Sequence, residues 1–442
     1  MFYPENREQV EAIVAKAREE GKALVPLSSG APHFHGASEN PQAETVSFSR
    51  MDKIMKIDRR SRYARVEAGV TFDRLIPALA EAGLRLNAPF LPRANKSVVA
   101  SMLEREAVVV PKYQYDYTDP LLNVEVICGT GEVFRTGSAA GPGPFEELKA
   151  DACLPWGPGH IDFLRFFTGA QGTMGLVTWA TLKTEILPQA SKLYFVTADT
   201  PQPLVTHTNE LLLRRVLDEC VILNRVNFAA AFADSAEEEA ELAAKLPAWV
   251  LVCRINGFER YPEERIAVYE EQLDGICAKQ GQSALRSLPG CEGLSEKVIK
   301  MLGDCDRRET YWKMRRGAER EIDFLAPPSK TPALAEMLEG LADKCGGALG
   351  ITIQPQVMGR GYRLEADVFF DGSAPEVPEK ALADALPQLK SAGAYFDRPY
   401  GAMADLVYTD PVATEALRKI KAVYDPDNIL NPGKLCFAQE VK

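Results

Sequence analysis

The feature that most constrains this chain is a short apolar strand that empties into a loop of small residues. In KALVPLSSGAPHFHG, Lys22 to Gly36, the residues Ala23, Leu24 and Val25 read as a buried strand, while Ser28, Ser29 and Gly30 carry almost no side chain. Backbone N–H groups in such a loop can close around a phosphate without steric penalty. An ordinary surface turn has the same composition. The rest of the chain has to decide between the two.

Pro4 to Glu20 reads as an amphipathic helix with Val10, Ile13, Val14 and Ala17 on one face, ended by Gly21. Thr45 to Phe48, Ile54 to Ile57 and Ala64 to Ala68 read as strands, followed by a helix over Thr71 to Ala82 that Gly83 stops. Val124 to Ile127 and Glu132 to Arg135 flank Gly129, Thr130 and Gly131 as a β-hairpin. Before the hairpin stand Tyr113, Tyr115 and Tyr117 with Asp116 and Asp119. These form either a solvated, Tyr-rich loop or a pocket wall in which a carboxylate among rings has a raised pKa. Gly169, Gly172 and Gly175 permit close backbone approach or simply punctuate turns, and Leu176 to Leu182 reads as a buried strand. The alternation implies an α+β sheet domain.

From Lys192 to about Gly393 a second unit is expected. Its strands are Leu193 to Thr197, Trp249 to Ile255, Ile351 to Gln356 and Tyr362 to Phe370. Its helices are Thr208 to Glu219, Glu263 to Gln280, Pro332 to Lys344 and Glu379 to Leu389, which suggests an antiparallel sheet with helices on one side. The acidic run Glu237 to Glu241 reads as a solvated helix face. Asp410 and Pro411 open a tail helix with Leu417, Ile420 and Val423 as its buried stripe, and Asn431, Pro432 and Gly433 form a turn that presents Lys434.

A length of 442 residues accords with two domains, since single cores stop growing near ~250–300 residues. The excess of 62 acidic over 51 basic residues, a net charge of −11, disfavours nucleic acid or an anionic membrane as partner. Nine cysteines without CxxC or paired spacing read as free thiols in a reducing compartment, and encode no iron–sulfur or haem site. The amino-terminal MFYPENREQV has no leader-like pattern and no window reaches the ~18 apolar residues of a membrane span, so a cytoplasmic protein is expected.

Five blocks together resemble the FAD-binding flavoproteins typified by vanillyl alcohol oxidase and the flavoprotein subunit of para-cresol methylhydroxylase. They are PLSSG with Gly36; SRMDKIMKID running on to YARVEAGVTFDRL; NVEVICGTGEVFRTG; PWGPGHIDFLRFFTGAQGTMGLVTWATL; and YDPDNILNPGKL. The resemblance covers nearly the whole chain. It implies an α+β, two-domain FAD-binding fold of the para-cresol methylhydroxylase type: residues 1–190 as the FAD domain, 191–393 as a cap of antiparallel sheet and helices, and 394–442 returning to the first domain. It places Pro26, Leu27, Ser28, Ser29, Gly30, Ala31, Pro32 and Gly36 on the pyrophosphate loop, and adds Pro92, Gly172, Gly175, Val177, Arg363, Asn431 and Lys434 as cofactor contacts.

FLAPPSK, the segment from Gly347 to Gly372 and AYFDRPYGAMADLVY look like the 4-alkylphenol branch. The glycolate and D-lactate branch carries a His-rich metal motif, whereas the only histidines here are His33, His35, His160 and His207, so no metal is expected. In the alkylphenol enzymes a hydride passes from a benzylic carbon to flavin N5. The resemblance then makes Asp116 the acid/base and Arg398 the binder of a phenolate or carboxylate. The two tyrosines that usually share the phenolate are replaced by His35 and Asp397, and Asp397 could pair with Arg398 and neutralise it. His35 can take a proton near neutral pH or be structural. Tyr395 and Tyr400 can stand in as donors, and Tyr115, Tyr117 and Tyr362 complete the implied substrate wall. Tyr362 and Arg363 stand where vanillyl alcohol oxidase links its flavin to a histidine, so non-covalent FAD is expected.

The reading is an FAD-dependent dehydrogenase or oxidase of a small, aromatic alcohol, phenol or phenolic ether, with electrons passed to an iron–sulfur or cytochrome partner or another acceptor, and with a homo-oligomer allowed. Two alternatives stand beside it: the flavoprotein subunit of a 2-hydroxy acid dehydrogenase, and a non-catalytic electron-relay subunit.

Overall fold

The computed structural model describes residues 1–31, 42–111, 120–141, 143–438 and 441. The first helix runs Arg7–Glu20, because the Asn6 side chain accepts from Gln9 N and Gly21, at φ 61°, closes the other end on Ala17 and Arg18 carbonyls. β1 (Leu24–Leu27) and β2 (Glu44–Ser47) pair in parallel. β3 (Ile54–Asp58), β4 (Tyr63–Glu67), β5 (Leu84–Leu86), β6 (Leu121–Ile127), β7 (Val133–Arg135) and β8 (Leu176–Ile186) form one antiparallel sheet. Its order is β3-β4-β8-β6-β7, with β5 against the far end of β8. The Thr71-capped helix Phe72–Glu81 packs Phe72, Leu75 and Leu79 onto it.

The second sheet is also antiparallel throughout. Its strands are β9 (Ala190–Ala198), β10 (Glu219–Asn224), β11 (Trp249–Gly257), β12 (Ala318–Ala326), β13 (Ala348–Gln356) and β14 (Gly361–Phe370), in the order β12-β14-β13-β10-β11-β9. Alternate side chains go to opposite faces. Tyr194, Ile222, Leu251, Phe324, Ile353 and Leu364 face the helices Pro201–Leu213, Pro262–Lys279, Thr331–Glu339 and Glu376–Ala392. Phe195, Val221, Val250 and Phe369 face the helices Arg225–Phe232 and Ala236–Lys245 together with Leu91, Val109 and Val110 of the amino-terminal half.

Four expectations are corrected here. Helices cover both faces of this sheet rather than one. Thr208 to Glu219 is not one helix: the helix ends at Leu213, and Glu219–Asn224 is the wholly buried strand β10, whose apolar run fits an interior strand. The acidic run does lie on a helix, but Glu239 turns inward and is held by Arg315 and Arg316. In the tail helix Pro411–Tyr424, Val423 is 72% exposed, and the buried positions are Thr414, Lys421 and Tyr424.

Two ties bind the parts. Leu24 N donates to Ile429 O (2.7 Å) and Asn431 N to Leu24 O (2.8 Å), so the tail lies along β1. Between the sheets, Arg85 of β5 pairs with both Glu185 of β8 and Glu219 of β10, and Arg254 of β11 meets the same Glu219 carboxylate at 2.7 Å. Among the described residues no helix is long and apolar enough to cross a membrane.

Candidate functional site

At Leu27 β1 runs out into the small-residue loop, and hydrogen bonds to the segment from Arg93 to Ser97 fix its path. Ser97 N donates to Ser29 Oγ (2.7 Å), Arg93 to Gly30 O (3.1 Å) and Asn95 Nδ2 to Ala31 O (3.4 Å). The facing wall is the glycine loop. Gly169 N donates to Leu103 O (2.7 Å). Gly172 sits at φ +71°, where a Cβ would come within 2.5 Å of Pro26 Cγ, and a Cβ on Gly175 would fall 2.1 Å from Val126 Cγ1. Only glycine at these two positions leaves room for the Pro26 ring and the Val126 side chain.

Between them runs a cleft whose lining includes Pro26, Ser28, Ser29, Gly172, Gly175 and Val177, together with Ala100, Leu103 and Tyr400. Backbone and small side chains on both walls fit a long, flat group with phosphates. The carboxy-terminal segment holds this wall in place. Asn431 Nδ2 donates to Gln171 O (2.7 Å), and buried Lys421 donates from Nζ to Thr173 O (2.8 Å), Leu430 O (3.2 Å) and Asp425 (2.6 Å).

Deeper in, a second chamber lies between the amino-terminal half and the second sheet. Phe90 and Trp312 line it in edge-to-face contact (6.1 Å), and Pro92 adds to the wall. Its charged lining includes Lys96, Glu106, Lys313 and Arg398. Lys96 grips Glu104 (2.8 Å) and Glu106. Burial alone would raise Glu106, but Lys96 and then Arg398 outweigh it and hold the carboxyl below its ordinary range.

Arg398 is 4% exposed and its partner is Asp323, at 3.2 Å. Asp397 does not neutralise it. That carboxylate pairs with Arg363 (2.7 Å), which also pairs with Asp323, so the four groups run Asp397, Arg363, Asp323, Arg398 in alternating sign. Burial works against the Arg398 charge, but Asp323 outweighs it and keeps the guanidinium protonated. Its Nε is buried and has no hydrogen-bond partner among the described residues. The Tyr400 ring lies 5.6 Å from the guanidinium, and burial raises the Tyr400 phenol, so it stays a neutral donor. A third, more open cavity adjoins this ladder; Arg363, Asp397, Glu106 and Tyr395 line it, and Tyr395 is 65% exposed at its rim.

The structure therefore gathers Arg398, Tyr400 and Pro92 around the chamber and its approach, and Pro26, Ser28, Ser29, Gly172, Gly175 and Val177 around the cleft, while Gly30, Ala31 and Asn431 stand behind its lining, Asn431 bracing it through Gln171. Three expectations are corrected. Tyr362 is fully buried in the core of the second unit and donates to Asn209 (2.8 Å), away from the chamber. Leu27 and Lys434 line none of these cavities. Arg363 belongs to the ion ladder rather than to the cleft. Pro32, His35, Gly36, Tyr115, Asp116 and Tyr117 lie outside the described residues.

Sequence reasoning missed Lys96, Glu106, Lys313 and Lys421. Lys96 and Lys421 pair with acids in their own segments and Lys313 with acids on β12 and β14, partnerships that no pattern in the sequence marks.

Residues 1–137 match the family described as FAD binding domain, and residues 406–435 match the C-terminal domain of FAD linked oxidases. An uncharacterized FAD-linked oxidoreductase of Mycobacterium tuberculosis is 23% identical, over 97% of this chain and 89% of its own. A glycolate oxidase subunit of Bacillus subtilis is 22% identical over 99% and 89%. The flavoprotein subunit of 4-cresol dehydrogenase (hydroxylating) from Pseudomonas putida is 23% identical over 97% and 85%. Among solved structures, p-cresol methylhydroxylase with substrate bound superposes with a TM-score of 0.79 at 20% identity, covering 99% of this chain and 88% of that one.

Proposed function

We propose, for a chain that carries an FAD-binding domain of the p-cresol methylhydroxylase fold and is an FAD-linked oxidoreductase, that it takes a hydride from a small alcohol, phenol or phenolic ether with an aromatic body and one negative end. FAD, when bound along the glycine-walled cleft, supplies the hydride acceptor at N5. In this reading residues 1–190 with 394–442 hold the cofactor, and residues 191–393 cap it and enclose the substrate.

The observation that carries the reading is Arg398: buried, kept charged, and with an unpartnered Nε in a chamber whose walls are Phe90 and Trp312. Because Asp397 is committed to Arg363, Arg398 remains the positive end of the ladder, where a phenolate or carboxylate gains charge-assisted hydrogen bonds. Asp116 is in this reading the acid/base on the benzylic side, taking or returning a proton on oxygen while the carbon gives up only its hydride, with His35 and Tyr400 assisting and Tyr115 and Tyr117 assigned to substrate binding. Electrons then leave to an iron–sulfur or cytochrome subunit or another acceptor.

A second reading is favoured by one observation. Lys96 and Lys313 in the chamber wall are committed to carboxylates, but Arg93 lines it together with Arg398, a pair of guanidinium groups where a single phenolate needs one. A 2-hydroxy acid, with its permanent carboxylate, uses it more fully. The test is an absorption spectrum of the FAD-loaded protein under argon before and after 4-hydroxybenzyl alcohols, methoxyphenols or 2-hydroxy acids are added. Bleaching of the flavin band by the phenolic class is the expected result; bleaching by 2-hydroxy acids alone replaces the first reading with the second. A band that nothing bleaches leaves the electron-relay role.

FAD is held without a covalent link in this proposal. Tyr362 is hydrogen-bonded inside the second core and Arg363 is held between two carboxylates, so neither side chain is presented as an attachment point. Acid precipitation is expected to leave the yellow colour in solution. Colour retained in the pellet refutes it.

A further inference from the structure

In the pairing of β12 with β14, Glu321 stands opposite Asp367 and Asp323 opposite Glu365. Like charges set face to face oppose strand pairing, and the pleat adds Glu319 to the same face two residues before Glu321. Asp323 is answered by Arg363 and Arg398, and Glu321, Glu365 and Asp367 share one ammonium. Lys313 Nζ lies 2.8 Å from Glu321, 2.8 Å from Glu365 and 2.6 Å from Asp367.

Glu319 is left over. It is 4% exposed, and among the described residues neither of its carboxylate oxygens has a hydrogen-bond partner. A buried, unpaired carboxylate is costly, and a cation is one of the ways to relieve it. One oxygen each from Glu319, Glu321 and Asp367 lie within 4.8 Å of one another. That spacing suits a single ion of Ca²⁺ size, since oxygens at about 2.3–2.6 Å from Ca²⁺ are separated by at most twice those lengths, while the about 2.0–2.1 Å of Mg²⁺ requires the carboxylates to draw closer. Asp367 is also oriented from behind, because Asn227 Nδ2 donates to its Oδ2 (2.6 Å). Asn227 fits there only because Gly350 has no Cβ, which would fall 1.7 Å from Asn227 Oδ1. Such an outer partner is typical of a ligating carboxylate.

We propose that Glu319, Glu321 and Asp367 hold a hard divalent cation, Mg²⁺, Ca²⁺ or Mn²⁺, beneath the chamber. The donor set is all oxygen, which disfavours zinc and other softer ions. The shortage of histidines argues only against an imidazole site. The ion sits on the side of Glu321 and Asp367 away from Glu365 and balances acids that Lys313 alone does not, so that Lys313 and Glu321 keep fixed positions in the chamber wall.

The full-length, FAD-loaded protein, stripped with EDTA, is titrated with Mn²⁺ and followed by electron paramagnetic resonance, while its unfolding temperature is read with Mg²⁺, Ca²⁺ and Mn²⁺. About one Mn²⁺ per chain and a raised unfolding temperature are expected, and Glu319→Gln weakens binding by at least about tenfold. Glu379→Gln, in an exposed pair with Arg320, leaves both unchanged. Mn²⁺ binding that Glu319→Gln does not alter overturns the site. So does a wild-type protein that binds no Mn²⁺ while Glu319→Gln is as stable or more so, which means the carboxyl carried a proton instead. Should Glu319→Gln not fold, the wild-type titration decides alone: no retained ion and no shift in unfolding temperature refutes the proposal.

Discussion

Arg398 works through direction as well as charge. Its planar fork is anchored on Asp323 through one nitrogen while Nε stays unpartnered, an arrangement a lysine cannot copy. Arg398→Lys is therefore expected to lower kcat/KM by about 10–100-fold, the range for lost hydrogen bonds to a charged group. Steady-state kinetics on the substrate class that bleaches the flavin check this, and an unchanged kcat/KM removes Arg398 from the site. Gly172 is constrained by two independent facts, a φ of +71° and the Pro26 ring 2.5 Å from where a Cβ would stand. Gly172→Ala is expected to cost about 1–3 kcal/mol of stability and to loosen FAD retention. Thermal unfolding and the flavin-to-protein absorbance ratio read the two effects separately.

The tail helix carries the clearest prediction at the scale of an element. Lys421 and Asp425, one turn apart and both buried, tie Pro411–Tyr424 to the glycine loop through Thr173 O and to the following turn through Ile429 N and Leu430 N. Lys421→Met strands the Asp425 carboxylate and is expected to cost about 3–5 kcal/mol, while adding Asp425→Asn recovers much of it. Denaturant unfolding of the single and double variants checks the coupling. The same helix shows what a sequence hides. Its N-cap and length were legible because Asp410 and Pro411 act locally, but the 3.6-residue stripe put Val423 inside. The inward position belongs to Lys421, whose carbonyl partner Thr173 lies 248 residues away. β14 was legible from its alternation. β12 was not, because AEREIDFLA looks solvated until Lys313, Arg363 and Arg398 arrive from other segments. Arg398 itself stood out through the family block around it, yet its partner Asp323, 75 residues distant, did not.

At the scale of the whole molecule, Glu219 fastens one sheet to the other. Burial would raise its carboxyl, but Arg254 and Arg85 outweigh it and bring the pKa down to about 2. A carboxyl depressed from its usual 4.5 binds protons more readily when unfolded. Its contribution, on the order of 3 kcal/mol, is thus fully present above about pH 4.5 and is lost as the pH falls toward about 2. Glu219→Gln should be less stable at neutral pH and should lose less on acidification, so that the stability gap to wild type narrows between about pH 4.5 and 2. A gap of constant width means the pair does not titrate with folding. The other long-range tie, between β1 and the tail, has a consequence for the order of events in the cell. The wall of the FAD cleft is braced by Lys421 and Asn431, so a nascent chain still short of those residues on the ribosome has the phosphate loop and the glycine loop but nothing to hold them at their working separation. Cofactor capture then waits until translation has passed Asn431, and a chain stalled before that point should emerge colourless.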